Sequence, residues 1–141
     1  MWDAAERNDS ALVLKLLKQG AELEWRDSDG WTPLATACRN GSYEAAEALC
    51  AHGAELDART DDQSTPLIWA AQNGCTKICE MLLALGADPS LKCEDGMTAL
   101  DRARITGAVK CEGLLWQVNV HKRTHQSALV VVLLLLLFLL R

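Results

Sequence analysis

Two cysteines and two histidines supply the ligand types of a zinc site: Cys75-x3-Cys79 and, far downstream, His121-x3-His125. The histidines follow the repeats in a polar stretch with nothing to hold them against the thiols, so no metal site is expected. The other reactive side chains form no catalytic pattern either. There is no phosphate-binding loop, no nucleophile elbow and no carboxylate pair spaced for acid–base work, and His52, His121 and His125 lack the context of a general base. Neither an enzyme nor a cofactor is implied. Asn8-Asp9-Ser10 and Asn40-Gly41-Ser42 match the glycosylation sequon, but each falls on a turn between helices of a repeated unit, which accounts for it better.

The elements that must position these residues are repetitive. Thr32, Thr65 and Thr98 stand 33 apart, as do Gly41, Gly74 and Gly107, and the pairs Gly20-Ala21, Gly53-Ala54 and Gly86-Ala87. Ala4, Ala37, Ala70 and Ala103 carry the register back to the first residues. Within a unit, Thr32-Pro33 is a helix start: the hydroxyl can cap free backbone N–H groups, and proline occupies the first helical position, where no N–H is needed. Gly41 can take the left-handed conformation that ends this short helix. A second helix follows, with Ala45, Ala46, Leu49 and Cys50 on one apolar face, and Gly53 closes it. Glu55 to Ser64 is polar and turn-rich, as a projecting hairpin between units should be.

The 33-residue length, Thr-Pro-Leu at 32–34 and 65–67, Ala-Ala at 70–71 and the Gly-Ala closing pairs resemble the ankyrin repeat pattern. The fold this implies is all-α: a solenoid of helix-turn-helix units with short hairpin loops, followed by a separate C-terminal apolar helix. The expected organisation is a repeat domain over 1–116, comprising a capping half-repeat (1–26), repeats at 27–59 and 60–92 and a terminal repeat (93–116). A linker (117–127) and an apolar helix (128–140) complete it. Some positions depart from the family pattern. Ala35, Ile68 and Asp101 stand where the family usually has a histidine that ties down the hairpin, which implies looser fingers. Gln63 replaces the turn glycine seen at Gly30 and Gly96, so strain or a different turn is expected there. Glu112 and Gly113 weaken the last helix. Glu6, Arg7 and Asp9 give the first unit the wettable side that an end repeat needs.

By resemblance, a protein partner docks on a concave face of hairpin tips and short helices. The tips carry over as Ser28, Asp29 and Trp31, then Asp61, Asp62 and Ser64, then Glu94, Asp95 and Met97; the short-helix positions are Arg39, Asn40, Gln72, Asn73, Ile105 and Thr106. Trp25 and Trp31 bracket the first finger, where a tryptophan is either an exposed binding anchor or packed against the next hairpin. The recurring acid suits a partner with a basic surface.

Charge agrees with that choice. All 19 acidic residues precede Gln117, whereas Lys122, Arg123 and Arg141 are the charges that follow it, so the body is acidic and the tail basic. A nucleic-acid partner would need a basic stripe that is absent. Met1-Trp2-Asp3-Ala4 lacks the features of a secretory leader, which favours repeats facing the cytoplasm and six reduced cysteines, most of them at small core positions. The domain is expected to be monomeric.

Ala128 to Leu140 is an unbroken apolar run. As a helix it would extend about 20 Å, against about 30 Å of bilayer hydrocarbon. Three fates are open: a membrane anchor with flanking Lys122, Arg123 and Arg141; burial against the last repeat or in an oligomer; or an artefact of an incorrect gene model. The first makes the chain a membrane-displayed scaffold, the others a soluble inhibitor or adaptor.

Overall fold

The computed structural model describes residues 1–122 and 124, and among them the secondary structure is helical throughout, with no strand. Helices α1 (Trp2–Glu6), α3 (Pro33–Asn40), α5 (Pro66–Gln72) and α7 (Ala99–Thr106) pack in sequence as an inner layer. Helices α2 (Ser10–Lys18), α4 (Tyr43–Ala51) and α6 (Thr76–Leu85) form an outer layer, each beside its inner partner. A further helical stretch, 109–122, follows α7 in the outer position.

The start signals work as their chemistry demands. The hydroxyls of Thr32, Thr65 and Thr98 accept from the backbone N–H of Ala35, Ile68 and Asp101 at 3.2, 3.3 and 3.3 Å. Asp101 also turns its carboxylate back to the Thr98 N–H at 2.9 Å, completing a reciprocal cap. The core is built from small and medium side chains. Ala37, Ala70 and Ala103 are fully buried between successive inner helices, and Leu34, Leu49, Leu67, Ile78 and Leu82 fill the space behind them. Alanine at the tight positions lets the helices approach closely, while each buried Leu or Ile contributes about 1.5–3 kcal/mol.

Residues 117–122, expected in the linker, are helical and continue the last helix past Trp116. The physical reason is a helical apolar stripe, in which Cys111 and Leu115 are buried and Leu114 and Val118 are partly buried, with no glycine or proline between 114 and 122 to stop it. Lys122 then reaches Asp88 at 3.5 Å, and Arg104 holds Glu112 at 2.9 Å across the helix pair. The first unit consists of α1 and α2 with no finger before them. The run 128–140 lies outside the described residues; among those that are described, no helix is long and apolar enough to cross a membrane.

Candidate partner-binding face

Three fingers, at 27–31, 60–64 and 93–97, each close on a backbone bond between first and last residue: Asp27 to Trp31, Thr60 to Ser64 and Cys93 to Met97, at 3.0–3.2 Å. Neighbouring fingers are joined directly. The N–H of Asp61 donates to the Asp29 carbonyl at 3.1 Å and that of Glu94 to the Asp62 carbonyl at 2.8 Å. Behind them runs a second ladder in the 33-residue register, in which Arg26 donates to the Arg59 carbonyl at 2.6 Å and Arg59 to the Lys92 carbonyl at 3.1 Å. The missing family histidine is therefore offset by other ties, and looser fingers are not what these bonds describe.

The acidic residues divide by what their carboxylates do. Asp27 Oδ1 accepts from the N–H groups of Asp29 and Trp31 at 3.0 and 2.9 Å, and so shapes the first finger. Asp62 does the same for the second, accepting from the Thr60 and Ser64 hydroxyls and from the Ser64 N–H. Burial pushes the Asp62 carboxyl up, but the bonds from Thr60 and Ser64 outweigh it and hold the group below its ordinary range. Asp95 pairs with Arg102 at 2.8 Å. Of the fingertip set read from the sequence, Ser64 is thus corrected: it is buried inside its finger, because its hydroxyl and N–H satisfy Asp62, and offers no free contact. Asp62 and Met97 are only half-exposed, whereas Ser28, Asp29, Asp61, Glu94 and Asp95 reach solvent.

On the short helices, Arg39, Asn40, Asn73, Ile105 and Thr106 are exposed and Gln72 is half-buried. Asn40, Asn73 and Thr106 each bond a carbonyl of their own last turn, at 3.1, 3.0 and 3.0 Å. Arg39 instead lies over aromatic rings, 5.0 Å from the Trp31 centroid and 5.8 Å from that of Trp69. Trp31 and Trp69 meet at 4.7 Å, tilted by 39°. Trp25, on the other side of the finger, is exposed and pairs with Trp2, centroids 4.1 Å apart.

Trp2 and Trp69 were not singled out from the sequence, nor was the cleft of about 350 Å³ lined by Trp2, Glu6, Asp27, Asp29, Trp31, Thr36, Arg39 and Asn40. A signal was available: Thr36 and Trp69 are 33 apart, one step before the Ala37 and Ala70 ladder, on the helix edge beside the fingers. A second, larger cleft of about 720 Å³ lies on the outer layer between α4 and α6, lined by Tyr43, Glu44, Lys77, Glu80, Met81, Ala84 and Leu85.

The residues with chemical potential elsewhere serve packing. All six thiols are free, with Cys38, Cys79, Cys93 and Cys111 buried. Burial pushes the Cys38 and Cys79 thiols well up and the Cys50 thiol to about 11, so they are neutral at pH 7. The sequon residues are absorbed into turns: the Asn8 side-chain carbonyl accepts from the Ala45 N–H at 3.0 Å, and the buried Ser42 donates to the Glu6 carbonyl at 3.1 Å. His52 and His121 each bond a carbonyl one turn back.

The described structure and the register converge on one outside comparison. The family model for ankyrin repeats, in three copies, matches residues 1–93. α7 and the stretch 109–122 lie beyond the matched residues and continue the same alternation of inner and outer helices. No curated protein matches the chain.

Proposed function

The chain belongs to the ankyrin-repeat family, whose repeats are protein–protein interaction modules, and on that premise we propose that it binds a protein partner across the fingers and the adjoining ends of α3, α5 and α7. The partner segment is basic. The observation that carries this is the division among the carboxylates: some are consumed in shaping fingers, while the exposed side chains of Asp29, Asp61 and Glu94 make no hydrogen bond or ion pair among the described residues. Three successive units bonded edge to edge thus present a row of unneutralised acid beside the tryptophan pair. Such a row steers and registers a cationic segment more than it adds raw affinity.

In the same proposal the repeats face the cytoplasm, and residues 128–140 hold them at a membrane as a displayed scaffold. Apolarity of that run and the cations Lys122, Arg123 and Arg141 around it support the tether. The test of the binding face is titration of the full chain with a pentalysine peptide at two salt concentrations. Binding should weaken as salt rises and should weaken further in an Asp61→Asn, Glu94→Gln variant. Salt-insensitive binding, or equal binding by pentaglutamate, would sink it. Vesicle flotation with and without 128–141 tests the tether, which fails if both forms stay in the soluble fraction.

A further inference from the structure

The cleft beside α1 differs from the rest of the face in having aromatic walls, and this points to a more specific occupant. Two tryptophans, Trp2 and Trp31, line it together with three carboxylates, Glu6, Asp27 and Asp29, and a single cation, Arg39. Asp27 has one oxygen committed to the N–H groups of Asp29 and Trp31, and its second oxygen accepts nothing among the described residues. Glu6 and Asp29 are exposed and their carboxylates have no partner there. Arg39 does not neutralise them: it makes no ion pair among the described residues and rests over the Trp31 and Trp69 rings. The lining therefore carries an excess of negative charge beside two indole side chains, a setting that attracts a cation with an apolar stem.

We propose that this cleft is the seat for one lysine side chain of the partner segment. The proposal rests on the reading that the finger face binds a basic partner, and it assigns the anchoring point within that face. A lysine fits the chemistry in two parts. Its methylenes cover the Trp2 and Trp31 walls, and its ammonium, a compact charge with three donors and no acceptor, meets Glu6, Asp29 and the free oxygen of Asp27. The volume of about 350 Å³ admits a single extended side chain rather than a folded segment. Arg39 sets the strength of the site, since it draws on the same aromatic surface and opposes the incoming charge. An anionic ligand would need the opposite arrangement, with Arg39 as its holder.

The experiment uses the full chain with nitrogen-15-labelled indoles, titrated with N-acetyl-lysine methylamide and, separately, with the uncharged N-acetyl-norleucine methylamide. The lysine probe should shift the Trp2 and Trp31 indole resonances saturably, with the norleucine probe weaker by roughly tenfold. Glu6→Gln with Asp29→Asn, both at exposed positions, should weaken the lysine probe to a similar degree, while Asp61→Asn with Glu94→Gln leaves it unchanged. Arg39→Gln should tighten it. Equal response to both probes, indifference to the Glu6 and Asp29 changes, or loss of binding in Arg39→Gln would overturn the proposal. If pentalysine binds in a manner sensitive to Asp61 and Glu94 while neither indole responds, the cleft assignment fails and the acidic finger face stands. If pentalysine does not bind at all, the broader reading fails with it.

Discussion

The first finger and the last share a backbone and differ in what stands behind them. Gly30 and Gly96 hold the same place in the turn, at φ 76° and 75°, a left-handed conformation that favours glycine. Behind Gly30 the next finger closes in, with Asp61 filling the place a Cβ would take; around the Gly96 Cβ position no described residue beyond its chain neighbours comes within 4 Å. The first finger ends on Trp31, seated on Trp69 of α5 in the next unit, whereas the last ends on Met97 and is fastened locally by the Asp95–Arg102 pair. One turn chemistry thus yields two kinds of finger. The first is closely packed by its neighbour at Gly30 and Trp31, whereas the last, though its Glu94 N–H also reaches the Asp62 carbonyl, is open at Gly96 and fastened by an ion pair of its own unit.

Substituting alanine at both glycines breaks the comparison most directly. Each replacement puts a Cβ into the left-handed region, at about 1 kcal/mol. At Gly30 the new Cβ would also stand 2.6 Å from Asp61 Oδ1 and 3.0 Å from the Asp61 backbone nitrogen. The side chain could swing away, but the nitrogen is held by its bond to the Asp29 carbonyl. Gly30→Ala should therefore cost about 3 kcal/mol in all, strain and overpacking together, and separate the first two fingers. Urea denaturation of the two variants should show a Gly30 loss clearly larger than the Gly96 loss. Equal losses would mean that the fingers do not lean on one another.

Acid sharpens the same contrast. In the column where the 27–59 unit has Ala35 and the 60–92 unit Ile68, the last unit has Asp101, whose carboxylate accepts from the Thr98 N–H and hydroxyl. Those bonds hold the Asp101 carboxyl below its ordinary value of 3.8. A carboxyl whose pKa is lowered by folding adds stability above the unfolded value and loses it as pH falls through the folded one. Asp101→Ala, which installs the residue of the 27–59 unit, should cost about 1 kcal/mol at pH 7, the usual worth of a cap. The gap should persist at pH 5 and narrow at about pH 2, well under the ordinary carboxylate value, as wild type loses the contribution too. Thermal melts at those three pH values measure it. A gap unchanged at low pH would show that the hydroxyl of Thr98 does all the capping.

These contrasts also mark what was legible in the sequence. Helix starts at Thr32, Thr65 and Thr98 and the stop at Gly41 could be read because each depends on one or two adjacent residues. The exposed acid at Asp29, Asp61 and Glu94 could be read from the register. The interior fate of Ser64 could not, since Asp62 and the buried Thr60 decide it through hydrogen bonds that the repeat pattern does not specify. Nor could the tryptophan pairs, whose members lie 23 and 38 residues apart in the chain and meet only when the helices stack. The continuation of the last helix past Trp116 was obscured by composition: Gln117, Asn119 and His121 are polar, and the partial burial of Val118 is decided by the stacked units rather than by adjacent residues.

The finger between the two extremes gives the smallest and most local prediction. Gln63 occupies the register position of Gly30 and Gly96 and adopts the same left-handed turn, at φ 63°, so the loss of glycine there brought strain rather than a different turn. Its backbone keeps the finger's form, with the Gln63 N–H donating to the Thr60 carbonyl at 2.8 Å. Its side chain is exposed and meets Arg59 only at 3.5 Å, a contact worth little in water. Glycine would relieve about 1–2 kcal/mol of backbone strain and give part of it back through the greater freedom of the unfolded chain. Gln63→Gly should therefore stabilise the chain by about 0.5 kcal/mol, read as a small rise in the urea midpoint. The gain should survive in an Asp62→Asn background if the strain is purely backbone. If it vanishes there, the Asp62 bonds to Thr60 and Ser64 are what force residue 63 into the left-handed turn, and the finger is shaped by its carboxylate first.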